Sequence, residues 1–453
     1  MKPARTSRVL ILAFAVITAC GGNAPVLSTT TTTAVNTTTT EAIVIPAFVP
    51  EECVSTTVIL GPGTTPTVVE PEPLAPDQQM DVLEGVDDAV TDHYLYPDFN
   101  GIDWDGGVAA LEAEIVSGLD AAVFYERVTD LIASLGDEHS DFETPAERAT
   151  TEAELAAHND YVGIGILALP FPELDGVSVL AVFPDSAAAH AGLELHDSIV
   201  GIDGIPVSDD PASSFTRLRG PECSLVVVTV RTPGEEDRIV SLVRFGVEGG
   251  IPIDARIVPT TDGRMIGYVL IPTLADGSID DQVATALDAF GPLDGLILDL
   301  RENRGGSSHV LDPLLGLFTS GTVGTYVSRE GERPLQISGT TVQNSQTVPL
   351  VVLIGDDTES YAEIFAGTLA AAGRATLIGE TTGGNVETLH AYDLPAGSRI
   401  WLAKERFSPT SDPTADWERD GVVPDIVVPS DWQDFTFDTD PALAPALEAL
   451  NSD

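Results

Sequence analysis

The sequence predicts a multidomain α/β protein, in which a helical N-terminal region, a β-rich middle domain and a larger α/β domain follow one another. Three observations support this prediction. The chain has 453 residues, more than one domain usually holds. Hydrophobic residues make up 43% and charged residues 20%, which is enough to bury a core. The apolar pattern also changes along the chain, from helical spacing to short β-rich runs and then to strands that alternate with helices.

The charge balance excludes two classes of partner. The chain carries 71 acidic and 21 basic residues, a formal net charge of −50. A field of that sign repels phosphate backbones, so we expect no nucleic-acid partner. It equally disfavours electrostatic binding to anionic lipid.

The first residues are typical of an export signal. A basic start is followed by apolar residues 9–16, a run too short to span a bilayer, and then by Cys20 in Ile-Thr-Ala-Cys. This order resembles a bacterial lipoprotein signal, which implies that residues 1–19 are removed and Cys20 is lipidated. An ordinary cleaved signal peptide is the alternative. We therefore expect an extracytoplasmic cell-membrane lipoprotein that meets the membrane only through its N-terminal lipid.

Residues 20–76 are rich in threonine and proline, and they predict a stalk. Such a composition cannot bury enough apolar surface to offset the entropy lost on ordering the chain. Beyond Cys20, the remaining cysteines are Cys53 and Cys223. In an oxidising compartment they could form a disulfide, and two unpaired thiols remain the alternative.

Residues 77–155 predict a helical N-terminal domain. Met80, Leu83, Val86 and Val90 recur at helical spacing, and similar repeats follow.

Residues 160–247 contain short β-rich runs, a short alanine-rich helix over 184–193, and a strand that enters an Asp-Gly turn near 203. This order resembles a PDZ domain of the circularly permuted bacterial kind. The resemblance implies a loop whose backbone N–H groups bind a peptide C-terminal carboxylate while the peptide adds a strand to the sheet edge. That loop would consist of Gly163, Ile164, Gly165 and Ile166.

Residues 256–432 alternate strands and helices, and residues 433–453 are assigned to a C-terminal tail. The segment 295–300 is nearly all apolar, as expected of a strand that is buried on both faces. A second apolar strand is predicted over 348–354, followed by an alanine-rich helix over 359–372. These elements indicate an α/β domain.

Three motifs in this domain carry the chemistry. The first, Asp-Leu-Arg-Glu-Asn-Arg-Gly-Gly over 299–306, ends a buried strand in two glycines, which let backbone N–H groups turn toward a ligand. The second, over 357–364, places Ser360 at a helix start, where the helix favours developing negative charge. The third is Gly-Glu-Thr-Thr-Gly-Gly-Asn over 379–385.

Together these motifs resemble those of the C-terminal processing (tail-specific) serine peptidases, whose order is also a PDZ domain followed by the catalytic domain. The resemblance implies a crotonase/ClpP-like core and places the nucleophile at Ser360. The sequence departs from the family at one position. The general-base lysine of the family falls on Asn385, which cannot accept a proton at useful pH.

A second branch of that family, which includes the core of the tricorn protease, uses histidine and glutamate instead. Its Leu-x-Asp-x-His motif is matched at 135–139, which places the base at His139. Its glutamate precedes a Gly-Val-x-Pro-Asp motif, which is matched at 421–425 and points to Glu418. The resemblance therefore implies a Ser360, His139 and Glu418 triad, with an oxyanion hole built from the N–H groups of Gly305 or Gly306 and of Tyr361.

Each of these residues also has a structural interpretation. Ser360 could be a helix N-cap, His139 a surface loop residue and Glu418 a solvated carboxylate. His309 and His390 are competing bases, and Lys404 is the remaining lysine of the mature chain. The sequence shows no His-x-x-x-His pair or cysteine cluster, so it predicts no metal site, and no cofactor is expected.

The expectation is therefore a lipid-anchored serine endopeptidase that acts on proteins or peptides with apolar C-termini, which the PDZ domain captures. Two other classes remain open. One is a catalytically inactive PDZ-containing binding protein, which the asparagine at 385 and the bulky Tyr361 would suit. The other is an apolar small-ligand binder on the same fold.

Overall fold

The computed structural model describes residues 46–54, 74–137, 139–156, 161–171, 176–209 and 214–451. The predicted signal sequence, Cys20 and most of the stalk lie outside these ranges. The described residues form two compact units. The first unit comprises 74–152 and 250–451, and the second comprises 46–54 and 153–249. Within the described ranges, no helix is both long and apolar enough to cross a membrane.

The first unit begins with helices that share a core with a distant strand. The elements are α1 (Pro76–His93), α2 (Trp104–Ser117), α3 (Ala121–Ala133), β1 (Asp141–Glu143) and α4 (Pro145–Ala156). Side chains at the expected helical spacing, such as Val82, Val86 and Val90, are buried against Ile400 and Leu402. The predicted boundary between the helical region and the α/β domain is therefore not a boundary between compact units.

The second unit is a small β-rich domain. Its elements are β2 (Tyr161–Gly163), β3 (Ile166–Phe171), β4 (Gly176–Val182), α5 (Ala187–His190), β5 (Ser198–Ile202), β6 (Ile205–Pro206), α6 (Ser214–Leu218), β7 (Leu225–Arg231), β8 (Arg238–Val243) and β9 (Phe245–Val247). The sheet order is β3-β4-β5-β7-β8, with β6 beside β5, while β2 pairs with β9. Strand β3 therefore lies at a sheet edge.

Strands β2 and β3 are separated by a turn at Gly165. This residue has φ +83°, and a Cβ there would lie 2.1 Å from the Cβ of Ser186. The turn falls within residues 163–166, where the resemblance to a PDZ domain implied a loop.

A disulfide joins Cys53 and Cys223 within the second unit, with their Cα atoms 5.2 Å apart. The two cysteines are therefore joined, and the alternative of two unpaired thiols does not apply. The segment that carries Cys53 also packs on this unit through Phe48, whose ring stacks on His190 with 3.8 Å between the centroids. Residues 46–54 of the predicted stalk are therefore part of the β-rich unit.

The remainder of the first unit is an α/β fold. Its elements are β10 (Asp254–Val258), β11 (Ile266–Leu270), α7 (Ile279–Phe290), β12 (Gly295–Asp299), α8 (Ser308–Gly316), β13 (Gly321–Ser328), β14 (Gly331–Ile337), β15 (Leu350–Ile354), α9 (Tyr361–Ala371), β16 (Thr376–Gly379), β17 (Thr388–Asp393), β18 (Arg399–Pro409), α10 (Trp417–Asp420), β19 (Ile426–Val427) and α11 (Leu443–Ala449). The strands and helices predicted for the motif region are confirmed to within two residues at each end.

Two sheets organise these elements. One has the order β10-β11-β12-β15-β16-β19 and is parallel from β11 onward. The other has the order β1-β18-β13-β14, with β17 also paired to β18. Because the carboxyl ends of parallel strands meet at one sheet edge, the loops after β12, β15 and β16 lie together there.

The predicted C-terminal tail packs on this core. The guanidinium of Arg301, which is 2% exposed, pairs with Asp299 at 2.5 Å and with Asp440 at 2.6 Å. Ala446 and Leu450 are buried. A composition-based boundary at residue 433 missed this because one buried ion pair and two apolar side chains leave little signal in the sequence.

Candidate active site

Ser360 occupies the turn between β15 and α9. Its φ of 57° and ψ of −128° lie outside the regions that side-chain-bearing residues normally adopt. Such a conformation persists only where the surroundings enforce it, and it is typical of functional sites. Ser360 is the N-cap residue of α9, and Glu363 accepts from its backbone N–H as in a capping box. The N-cap interpretation therefore describes its position but not its unusual φ and ψ. The side chain is partly exposed.

The carboxylate of Glu363, one turn into α9, holds this serine in place. Its Oε2 accepts from the backbone N–H of Ser360 at 3.0 Å and of Asn385 at 2.8 Å. Its Oε1 accepts from the hydroxyl of Thr382 at 2.5 Å and from the N–H of Gly384 at 2.9 Å. Burial raises the pKa of Glu363 to about 7, against these four donors, which lower it. The turn that carries Ser360 and the third motif, residues 379–385, are thus both hydrogen-bonded to the buried carboxyl group of Glu363.

The glycine pair of the first motif lies directly against the serine. A Cβ on Gly305 would lie 2.6 Å from the Cβ and 3.0 Å from the Oγ of Ser360. A Cβ on Gly306 would lie 2.0 Å from the backbone carbon of Leu274. Both glycines also have positive φ, at 86° and 151°. Close approach of the loop to Ser360 therefore requires glycine at 305, and its close approach to the backbone of Leu274 requires glycine at 306.

The structure distinguishes between the two glycines as oxyanion donors. The N–H of Gly305 donates to Oδ1 of Asn303 at 2.9 Å, so it is already used. Within the described part of the chain, no hydrogen bond is made by the N–H of Gly306 or of Tyr361. Of the predicted donors, Gly305 is therefore corrected to a structural role. Gly306 and Tyr361 keep N–H groups beside Ser360 that could stabilise an oxyanion.

His139 reaches the site from the N-terminal helices. It lies between α3 and β1, and β1 pairs with β18 so that Phe142 is opposite Ile400. The hydroxyl of Ser140 accepts from the N–H of Ala403 at 3.2 Å, which fixes the same segment. The imidazole is only 4% exposed, and its Nε2 lies 2.8 Å from Oε1 of Glu418. His139 is therefore not the surface residue that the alternative interpretation required.

Glu418 is equally well held. It lies in α10, whose Trp417 stacks on Phe407 with 5.7 Å between the centroids. While its Oε1 faces His139, its Oε2 accepts from the N–H groups of Val386 at 2.7 Å and Glu387 at 3.0 Å. Glu418 is accordingly a positioned acceptor and not merely a solvated carboxylate.

The surroundings favour a proton on His139. Burial is the largest single influence and disfavours the charged form, but the hydrogen bond and charge of Glu418, with the charges of Glu387 and Asp137, outweigh it and raise the pKa. Because a carboxylate only accepts, Nε2 of the neutral ring must donate to Glu418. The basic nitrogen of neutral His139 is then Nδ1.

One short segment connects the two halves of the site. Gly384 and Asn385 donate their N–H groups to Glu363, and the next two residues, Val386 and Glu387, donate theirs to Glu418. Asn385, which stands where the resembled family has its lysine, thus contributes a backbone hydrogen bond to Glu363. The structure brings His139 and Glu418 into contact, whereas the Ser360 hydroxyl has no hydrogen bond to either within the described residues. Catalytic hydrogen bonds are often long until substrate binds.

The competing bases are placed differently. His309 is exposed on α8. The ring of His390 is 44% exposed and lies 3.7 Å from Glu405. Lys404 pairs with Glu330 at 3.4 Å. Among the described residues, none of these three side chains forms an ion pair with Glu363, the carboxylate that binds the turn of Ser360.

A second buried carboxylate, which the sequence did not single out, lies beside the histidine. Glu387 is 5% exposed, and its Oε1 accepts from the phenol of Tyr96. One ligand atom each of His139, Glu387 and Glu418 lies within 4.8 Å of the others, so these three are also where the described residues could hold a metal ion. A cavity of about 490 Å³ opens beside them and is lined by Tyr96 and Asp137, among others.

Comparison with known proteins finds relatives of this chain among peptidases. Residues 265–428 match the model of Peptidase family S41. A carboxyl-terminal-processing protease of Picosynechococcus is 28% identical over 73% of this chain and 79% of its own length. Its counterpart in Synechocystis is 28% identical over 72% of this chain and 76% of its own length.

Solved structures show the same fold. A photosystem II D1 C-terminal processing protease superposes with a TM-score of 0.55, at 24% identity, over 82% of this chain and 96% of that one. The predicted enzyme class is confirmed by the family match and the two relatives. The protein is a serine-type peptidase, a hydrolase that acts on peptide bonds.

Proposed function

We propose that the protein is an extracytoplasmic, lipid-anchored serine endopeptidase, in which Ser360 is the nucleophile, His139 the general base and Glu418 its partner. The observation that carries this proposal is the contact between the buried imidazole of His139 and the partly exposed carboxylate of Glu418, 2.8 Å long. The segment 384–387 ties that pair to the turn of Ser360.

The proposed reaction proceeds through an acyl-enzyme. Nδ1 of His139 takes the proton of Ser360 as Oγ attacks the carbonyl carbon, and Glu418 stabilises the imidazolium. The N–H groups of Gly306 and Tyr361 stabilise the resulting oxyanion. The imidazolium then returns its proton to the leaving amine as the peptide bond breaks. Water, activated by the neutral His139, hydrolyses the ester and restores the serine.

The histidine explains how the site works with Asn385 where the resembled family has lysine. An asparagine amide cannot accept a proton at useful pH, and Lys404 is committed to Glu330. A buried imidazole with a raised pKa supplies the missing base.

We assign the second unit to capture of substrate C-termini. Its strand β3 is at a sheet edge and can pair with an extended peptide. The loop before it turns at Gly165, and within the described residues the backbone N–H of Ile164 donates to no backbone acceptor. This N–H beside an edge strand suits a terminal carboxylate, and the buried Ile164 adds apolar surroundings. Substrates with apolar C-termini would suit this arrangement.

The membrane anchor is proposed from the sequence, since Cys20 lies outside the described residues. Its test is metabolic labelling with a radioactive fatty acid. We expect label in the full chain and none in Cys20→Ser. A labelled Cys20→Ser protein would refute the anchor.

The catalytic assignment is tested with the full chain and a peptide that ends in an apolar residue. Ser360→Ala should abolish hydrolysis while the circular dichroism spectrum stays unchanged. Ser328→Ala, a partly exposed strand serine elsewhere in the same unit, serves as the matched control and should retain full activity. Undiminished hydrolysis by Ser360→Ala would contradict the assignment.

Substrate capture is tested separately by binding. A fluorescent peptide with a free apolar C-terminus should bind the full-length Ser360→Ala protein, and the same peptide amidated at its C-terminus should bind at least about tenfold more weakly. Gly165→Ala should also weaken binding, because its Cβ would meet Ser186. Gly204→Ala has similar positive φ and open space around it, and should not. Equal binding of acid and amide would refute carboxylate capture.

A further inference from the structure

The histidine of the proposed triad faces two carboxylates, one of which has no role in the reaction described above. Glu387 comes just before β17 and is 5% exposed. Tyr96 donates its phenol proton to Oε1 of Glu387, and the backbone N–H of Glu387 donates to Glu418 at 3.0 Å. The side chain is therefore held on one side by the helical region and on the other by the segment that carries Glu418.

The other titratable groups around Glu387 are mostly acidic. They are Tyr94, Tyr96, Asp137, His139 and Glu418. The nearby cavity also includes Arg419, but this guanidinium is 70% exposed and pairs with Asp416 and Asp420. His139 is thus the buried group in this cluster that can become positively charged.

Two close carboxylates are costly to ionise together unless a cation lies between or beside them. One ligand atom each of His139, Glu387 and Glu418 lies within 4.8 Å of the others. At that separation a positive charge on the imidazole is attracted to both carboxylates. An imidazolium is the state formed as Ser360 loses its proton.

We propose that Glu387, oriented by Tyr96, is a positioning residue for His139, so that the imidazolium formed during catalysis is stabilised by two carboxylates and not by Glu418 alone. This inference rests on the proposed function, because it assigns His139 as the base. No bond other than those of the reaction forms or breaks. Where Glu387 is protonated beforehand, its proton passes to water in the adjoining cavity as His139 becomes charged.

A direct test measures the pKa of His139 by NMR of its imidazole in the Ser360→Ala protein. Adding Glu387→Gln removes one charge and keeps the shape, so the pKa of His139 should fall by about one pH unit. Tyr96→Phe should change the pKa less, because the carboxyl group of Glu387 is kept but is less firmly oriented. Glu332→Gln removes an exposed charge on β14 and should leave the pKa unchanged. An unchanged His139 pKa in Glu387→Gln would overturn the proposal.

The activity test uses the pH profile of peptide hydrolysis. Glu387→Gln should lower kcat about tenfold, leave KM unchanged and move the acid limb to lower pH, since one pH unit in pKa corresponds to a factor of ten. Glu387→Asp keeps the carboxyl group, so its kcat should fall less and its acid limb should move less than in Glu387→Gln. A structural role alone would not move the limb, so a reduced kcat with an unmoved limb would contradict the proposal.

The two proposals fail in distinguishable ways. Wild-type protein without Ser360-dependent hydrolysis would refute the proposed function, yet the NMR titration would still decide whether Glu387 stabilises charge on His139. Normal wild-type hydrolysis with an unchanged titration in Glu387→Gln would refute this inference alone.

Discussion

The two halves of the candidate site are built by different means. The nucleophile half, Ser360 with the glycine pair and Glu363, comes from loops that follow neighbouring parallel strands. The base half joins His139 to a glutamate 279 residues away and draws on Tyr96 and Glu387 as well. The first half is fixed by backbone conformation and close approach. The second is fixed by buried charges that come from separate parts of the chain.

This difference determines how each half should respond to change. Where a Cβ would overlap backbone atoms, any substitution for glycine disturbs the geometry. Where charge is the requirement, a substitution of the same shape keeps the structure and alters the response to pH. Mutations in the two halves should therefore be separable by their pH profiles.

The largest expected effect is on the base half. His139→Ala should lower kcat/KM by about 10⁴-fold, because without a base the serine stays protonated and weakly nucleophilic. The measurement is peptide hydrolysis by the full chain. His309→Ala serves as the control, because that histidine is exposed, and it should retain activity. Comparable losses of kcat/KM in both variants would contradict the assignment of His139, and not His309, as the general base.

The next effect tests the backbone half. Gly306→Ala should lower kcat by about 10²–10³-fold, as loss of one oxyanion donor does. Its Cβ would lie 2.0 Å from the backbone of Leu274, so the N–H must move and the melting temperature should fall as well. Gly291→Ala also has positive φ but nothing within 4 Å, and kcat should stay unchanged. Full activity of Gly306→Ala would show that this N–H is not an oxyanion donor.

Glu363→Gln should have a smaller effect on the same half. The amide NH₂ would face N–H donors where the carboxylate now accepts four hydrogen bonds, so kcat should fall about 10-fold to 100-fold through a displaced Ser360. The exposed Glu126→Gln on α3 is the control in the same hydrolysis assay and should keep full kcat. Undiminished kcat in Glu363→Gln would show that this carboxylate does not position Ser360.

The smallest effect concerns the pH profile of the unmodified enzyme. The base must be neutral to accept a proton, so activity falls as pH drops through the pKa of His139. Because that pKa is raised, the midpoint of the acid limb should lie above the ordinary histidine value of 6.5. Glu418→Gln should move the midpoint down, since it removes the main charge that favours imidazolium. A wild-type midpoint at or below 6.5 would contradict the electrostatics described here.

The sequence predicted the nucleophile half more completely than the base half. Buried parallel strands, glycine pairs and a serine at a helix start are local patterns, so the α/β domain, Ser360 and Gly306 could be located from short motifs. Which glycine N–H is free could not be predicted, because it depends on the side chain of Asn303.

The base half could be predicted only where a motif marked it. His139 and Glu418 were found by resemblance to a family, not by any spacing that brings them together. Glu387 and Tyr96 had no such signal, since each is one residue among many of its kind and only the tertiary fold places them beside the imidazole. The packing of the C-terminal segment through Asp440 and Arg301 was missed for the same reason.

Active-site labelling shows whether His139 activates Ser360. The full chain would be treated with a fluorophosphonate probe, and the adduct mapped by mass spectrometry. We expect an adduct on Ser360 that disappears in Ser360→Ala and forms at least about 10²-fold more slowly in His139→Ala. Labelling of Ser360 at the same rate without His139, or hydrolytic activity with no adduct on Ser360, would contradict this activation.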